Sequence, residues 1–217
     1  MKIFMTTLPI YLSYVVEDTV TEKRKVQKYN YRPQKGCNID NNLETAFPIF
    51  KVMRELKEDD DYKVIAIASK SGEWKSVKSA FLEEIKAYGY DESKIQWIEL
   101  EERQDKEVSN QLMISVVESL VDDLSDNIEI YASVEYGTKV ITIANICALQ
   151  IVEKLRDNIS VEGVFYGELK RDKGKTVESN LYDISDLFFF TQLVSNLDAA
   201  NIKNSTEFVK LLLELGE

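Results

Sequence analysis

Short β-branched runs alternate with longer amphipathic stretches along most of this chain, and that alternation restricts it to very few folds. The runs are Lys2 to Thr7, Lys63 to Ser69, Ile95 to Leu100, Ile128 to Ser133 and Val161 to Tyr166. Between them the spacing predicts helices over about 43–57, 73–88, 107–124 and 137–156. Val116, Val117, Leu120, Val121 and Leu124 show the i, i+3, i+4 recurrence of a buried helix face. Strands alternating with helices specify a parallel sheet covered on both faces and joined by right-handed crossovers. A sixth strand, Thr176 to Tyr182, follows the fifth through the turn-like Arg171-Asp172-Lys173-Gly174, so it is expected to run antiparallel at the sheet edge. Helices over about 185–198 and 205–215 complete the pattern. The expectation is an α/β, doubly wound, six-stranded sheet in residues 1–183 with a helical extension over 184–217, a connector or a dimer contact.

One segment breaks the rhythm. Doubly wound chains enter a helix within a few residues of the first strand, yet 35 residues, Leu8 to Asn42, intervene here. They include a basic stretch, Lys23 to Lys35, with Lys23, Arg24, Lys25, Lys28, Arg32 and Lys35, no acid, and Tyr29 and Tyr31 interleaved. Two readings stay open, an extra hairpin flanking the sheet or a loop reaching over a site beside the first strand.

Composition narrows the chemistry. The 217 residues contain no histidine, which removes Ser-His-Asp and Cys-His hydrolases and His-ligated zinc. Two cysteines, Cys37 and Cys147, are too few for a disulfide framework or a Cys-rich metal site. A net charge of −11 argues against general binding to duplex nucleic acid. Lys2 already opens a strand, leaving no room for a signal peptide, and no run nears the roughly 18 apolar residues of a membrane span, so a cytoplasmic location is expected. Acidic clusters such as Asp59-Asp60-Asp61 and Glu99, Glu101 and Glu102 read as solvated turns.

Two glycine motifs fail on inspection. Gly174-Lys175-Thr176 looks like the end of a phosphate-binding loop, but Leu169 stands where the first glycine belongs and a strand follows instead of a helix. No G-x-G-x-x-G follows the first strand. The informative run is Ser133-Val134-Glu135-Tyr136-Gly137-Thr138-Lys139, which leaves an apolar strand and enters a helix. Gly137 permits close backbone approach, Thr138 is a cap or hydroxyl donor, and Lys139 places a cation in a first turn whose dipole already favours an anion. An ordinary Thr cap with Lys139 in solvent is the plainer alternative. With strand order 3-2-1-4-5-6, the topological switch lies between the first and fourth strands. Thr6, Thr7, Leu8 and Pro9 would then share one rim with Ser133, Glu135, Tyr136, Gly137, Thr138 and Lys139. Ser69 and Lys70 end the second strand on the same rim, and Tyr166-Gly167-Glu168 end the fifth.

These residues resemble a family. The opening Lys-Ile-Phe-Met-Thr-Thr-Leu-Pro, the long insertion, Tyr-Gly-Thr-Lys before an apolar helix, and Val-Glu-Gly-Val-Phe-Tyr-Gly-Glu followed by Tyr-Asp-Ile-Ser-Asp-Leu look like a CRISPR-associated Rossmann-fold (CARF) domain of type III CRISPR ancillary proteins. One branch of that family carries Asp-x-Thr-His-Gly where this chain has Ser133-Val134-Glu135-Tyr136-Gly137, so Tyr136 replaces the His. The resemblance implies a Rossmann-like fold and a cyclic oligoadenylate, tetra- ahead of hexa-adenylate, bound as the ligand across a homodimer in antiviral defence. It implies contacts from Thr6, Thr7 and Leu8, phosphate contacts from Gly137, Thr138 and Lys139, outer contacts from Ser69 and Lys70, and stacking of Tyr29 or Tyr31 on an adenine. Family members join such sensors to an effector, and none is legible here; the chain is expected to be a sensor part or a stand-alone binding protein.

Three functional expectations therefore stand. The first is a non-catalytic sensor that allosterically switches an effector, without cofactor or metal. The second is a ring nuclease, in which a ligand 2′-hydroxyl attacks the adjacent phosphate and the protein supplies alignment and charge stabilisation. The third is an unrelated doubly wound protein.

Overall fold

The computed structural model describes residues 1–18, 23–58, 60–70, 72–101, 106–121, 127–136, 138–173 and 175–195. Gly137, Gly174 and the helix expected over 205–215 lie outside them. Strand β1 (Lys2–Thr7) is followed by a hairpin, β2 (Tyr14–Asp18) and β3 (Lys23–Val26), then by the short β4 (Arg32–Pro33) and helix α1 (Ile49–Leu56). There follow β5 (Tyr62–Ser69), α2 (Trp74–Ala87), β6 (Ile95–Leu100), α3 (Lys106–Val121), β7 (Ile128–Ser133) and α4 (Lys139–Leu155). The long β8 (Ile159–Asp172) turns back into β9 (Lys175–Asp183), and α5 (Ser185–Ser195) ends the described chain.

The main sheet runs β4-β9-β8-β7-β1-β5-β6, with β8 and β9 antiparallel and every other pair parallel. Without β4 this is the expected order 3-2-1-4-5-6, and the fold is Rossmann-like α/β. Two details differ from expectation. The sheet has seven strands, because the insertion returns to lay β4 alongside β9, so the antiparallel strand is not the edge. The fifth strand continues to Asp172, so Tyr166-Gly167-Glu168 lie within β8 and form no rim loop. A run read only for apolar content misses this extension, since its outer half is polar and pairs with β9 through its backbone.

Period-2 alternation sends side chains to opposite faces. Ile3 and Met5 join the core beneath α3, α4 and α5, while Phe4 and Leu8 join the one beneath α1 and α2. Trp97 packs edge-on against Phe81 of α2 in the second core.

The insertion takes the hairpin form, and it is anchored rather than loose. β2 and β3 pair with each other outside the main sheet, and Tyr29 bridges Thr45. Its anchor is a buried carboxylate, Glu84 on α2, only 3% exposed. Glu84 accepts from the Thr45 hydroxyl, the Ala46 amide at 3.0 Å and the Tyr88 hydroxyl at 3.0 Å, and pairs with Lys28 Nζ at 3.5 Å. Lys51 is a second buried polar anchor, 0% exposed, donating to Asn30 Oδ1 at 2.8 Å and the Tyr31 carbonyl at 2.6 Å. Burial lowers its pKa. Buried polar groups are tolerated only when so satisfied.

Replacing Glu84 by Ala strands the buried Ala46 amide and removes the ion pair of Lys28, while the Thr45 and Tyr88 hydroxyls keep the Phe47 and Glu44 carbonyls as acceptors. The expected cost is about 1–3 kcal/mol of stability, measured by urea unfolding, whereas Glu83→Ala, on the exposed side of the same helix, should be near neutral.

Candidate functional site

β1 lies between β5 and β7 at the sheet centre, and the register sets Thr6 beside Ala66 on one side and Ser133 on the other. The carboxyl ends of β1 and β7 therefore open side by side, at the switch point where doubly wound sheets bind ligands. The loop after β1 is held down by Leu8 N–H donating to Ile67 O at 2.8 Å and Glu73 N–H donating to Ile10 O at 3.1 Å. It packs so tightly on Gly72, at φ +57°, that a Cβ there would sit 2.8 Å from Ile10 Cγ2.

Not all of the expected residues face solvent. Thr6, Thr7, Leu8 and Ser133 are each at most 2% exposed, so they form the floor of the rim. Thr6 Oγ1 reaches only the Thr7 carbonyl, at 3.5 Å. Thr7 Oγ1 accepts from Asn145 Nδ2 at 2.8 Å, tying β1 directly to α4. Asn145 is fully buried, and its Oδ1 has no hydrogen-bond partner. It was missed in the sequence, though a lone amide on the buried stripe of an apolar helix, one turn from Ile141 and from Leu149, is a readable signal. Pro9 and Ser69 are half-buried at the edge of the rim. Lys70 is exposed and turns to Glu101, 3.1 Å away, just as Glu99 pairs with Lys78 at 2.8 Å.

The β7–α4 connection carries the open polar groups. Thr138, at φ −87° and ψ 161°, caps α4, its hydroxyl accepting from the Ile141 amide at 3.4 Å. The amides of Lys139 and Val140 point out of the first turn with no intrahelical acceptor. Lys139 is exposed beside them, and α4 has no acidic residue in that turn. These groups together favour an anion.

Beneath them sits a protonated network. Tyr136 OH donates to Ala46 O at 3.1 Å, so its 3.0 Å contact with Tyr31 must be donated by Tyr31 OH. Burial pushes both phenols well above the ordinary value, Tyr136 further raised by Tyr31 and Glu135. The insertion thus does reach the rim, but through a clamp. Tyr31 is 0% and Tyr29 9% exposed, so neither ring is open for the adenine stacking expected from sequence. Gly167 of β8 completes the clamp, because a Cβ there would collide with the Pro48 ring and come within 3.3 Å of Tyr31.

Glu135 occupies the same layer. Ser133 Oγ donates to its Oε2 at 2.5 Å, while Oε1 is buried without a partner. Desolvation raises its carboxyl from 4.5 to about 7, opposed by the Ser133 hydrogen bond. Among the described residues no group of three Cys, Asp or Glu side chains is placed to hold a metal ion, and no helix is long and apolar enough to cross a membrane.

Comparison of the sequence with protein-family models and with curated proteins gave no match.

A carboxyl whose pKa is higher folded than unfolded holds its proton while the unfolded chain has lost it, so stability falls as pH rises from about 4.5 to about 7 and then levels. Glu135→Gln should therefore melt close to the wild type at pH 4 and clearly above it at pH 8. Equal shifts at both pH values would show that ionisation of Glu135 has no part in stability.

Proposed function

We propose that this protein is a non-catalytic sensor of a cyclic oligoadenylate, tetra- ahead of hexa-adenylate, held where two copies bring their β1 and β7 tips together, and that binding switches an effector in type III CRISPR defence. The observation that carries this reading is the juxtaposition of the β1 loop with the capped start of α4, enforced by the Thr6–Ser133 register and the Thr7–Asn145 hydrogen bond. The resemblance of the same two segments to CARF motifs supplies the ligand class.

The division of labour follows from exposure. Lys139 and the first-turn amides of α4 would meet phosphates, Thr138 holds that turn in shape, and Pro9 and Ser69 line the edge. Thr6, Thr7, Leu8 and Ser133 act from beneath as the rigid floor, and Tyr136 and Glu135 act as the support of the α4 start. Two rims facing across a two-fold axis suit a ligand with the same symmetry, since an isologous dimer presents every donor twice. A local cluster of amides and lysine attracts phosphate even on a chain of net charge −11.

Titration calorimetry with cyclic tetra- and hexa-adenylate tests the proposal. Binding of one ring per two chains is expected, with Lys139→Ala weakening it at least tenfold and leaving the circular dichroism spectrum unchanged. No heat with either ring, or an unchanged affinity in the variant, would remove the messenger or Lys139 from the account. Incubation with labelled ring should return it intact, and linear products would favour the ring-nuclease reading instead.

A further inference from the structure

Among the described residues Tyr11 is the most exposed of the large apolar side chains, at 67%. Single exposed side chains are ordinary on a protein surface. What sets this one apart is that the chain beneath it is fixed. Tyr11 stands on the loop that leaves β1, four residues past Thr7, and the carbonyl of its neighbour Ile10 accepts from the Glu73 amide at 3.1 Å. One edge of its ring takes the space that a side chain at Gly72 would need, since a Cβ there would sit 2.9 Å from Tyr11 Cε1. Loop and glycine together make a seat for the ring, and no other described ring packs against it.

The other tyrosines of the insertion are engaged. Tyr29 and Tyr31 are buried in the clamp. Tyr14 donates to Glu73 Oε2 at 3.4 Å and lines the cleft between the hairpin and α2. Tyr11 is the ring left open where β1 ends.

Its place on the sheet matters as much as its exposure. β1 lies between β5 and β7. Gly72, which seats the ring, follows β5 by three residues, while the anion-attracting start of α4 follows β7. Neighbouring strands are about 4.8 Å apart, so the β5 and β7 tips stand about 10 Å apart with the β1 loop between them. A flat apolar surface and a phosphate-attracting turn thus flank one loop.

A cyclic oligoadenylate presents two chemistries, phosphates within the ring and flat adenines projecting from it. The proposed dimer brings the β1 and β7 tips together, so bases of a ring centred there point outward, from β7 across β1 toward β5. We infer that Tyr11 is the base-stacking residue of this site, its open ring face receiving an adenine while the α4 start holds phosphate. This rests on the proposed function and adds to it the residue that holds the base. Stacking on an aromatic ring is driven by the π-face and apolar contact, whereas phosphate contacts weaken as salt rises.

The experiment titrates the full chain with cyclic tetra-adenylate at low and high salt. Tyr11→Ala should weaken binding at least tenfold, because each stacked base is worth roughly fivefold or more and a dimer loses two. Tyr11→Phe, which keeps the ring, should stay within about twofold of the wild type. Raising salt should weaken the wild type and Tyr11→Ala by the same factor and Lys139→Ala by a smaller one. By nuclear magnetic resonance the adenine H2 and H8 signals of the bound ring should move upfield with the wild type and Tyr11→Phe, and lose that shift with Tyr11→Ala. Circular dichroism should be the same for all four chains. Unchanged affinity in Tyr11→Ala, an equal loss in Tyr11→Phe, or binding without the upfield shift overturns the stacking role and leaves the messenger reading intact. A wild type that binds neither cyclic tetra- nor hexa-adenylate overturns the messenger reading, and the stacking role with it.

Discussion

Everything at the rim depends on β1 being held between β5 and β7 in parallel register. A parallel ladder fixes which residues end level with each other, so Thr6 and Ser133 finish at the same height. The Asn145–Thr7 hydrogen bond then locks the helix that follows β7 to the strand beside it. In a dry interior such a bond, with its partners unable to turn to water, holds more firmly than an equivalent bond at the surface. The start of α4 is thereby presented at a fixed position relative to the β1 loop.

The insertion has an unexpected role. Its basic charges and tyrosines suggest a flap over a ligand, yet Glu84 and Lys51 fasten it to the body, and Tyr31 spends its hydroxyl on Tyr136. It functions as a brace between α1, α2 and the β7–α4 connection. The described basic side chains of the insertion itself stay exposed or half-buried, and what fastens it is a buried charge on each of α1 and α2, met by fixed partners. Between the hairpin and α2 it also borders an open cleft of about 500 Å³ that Lys25, Lys28, Ser76, Ser79 and Glu83 help to line.

Two features at the rim pull in opposite directions. The start of α4 attracts anions, whereas Glu135 sits a few residues away with a carboxyl that ionises near neutral pH. Kept protonated by burial, it leaves the local potential positive, and once ionised it would offset Lys139. The outward apolar stripe of α4, from Val140 through Ile143 and Ile151, begins at this same turn.

Much was determined by the sequence itself. Periodicity distinguishes strand from helix because burial imposes a repeat of two or of 3.6 on apolar side chains; that is why the six strands were legible, whereas their order, and with it the switch point, entered as a condition that the sheet then met. The Ser133-to-Lys139 run stood out because a strand end, a cap residue and a helix start are local in the chain. Tertiary structure decided the rest: that Thr6, Thr7 and Ser133 lie under the rim, that Tyr31 is a clamp, that Lys70 is taken by Glu101, and that β4 adds a seventh strand. Those outcomes depend on which surfaces meet across many intervening residues, and no local pattern encodes the distance between Tyr31 and Tyr136 or the desolvation of Glu135.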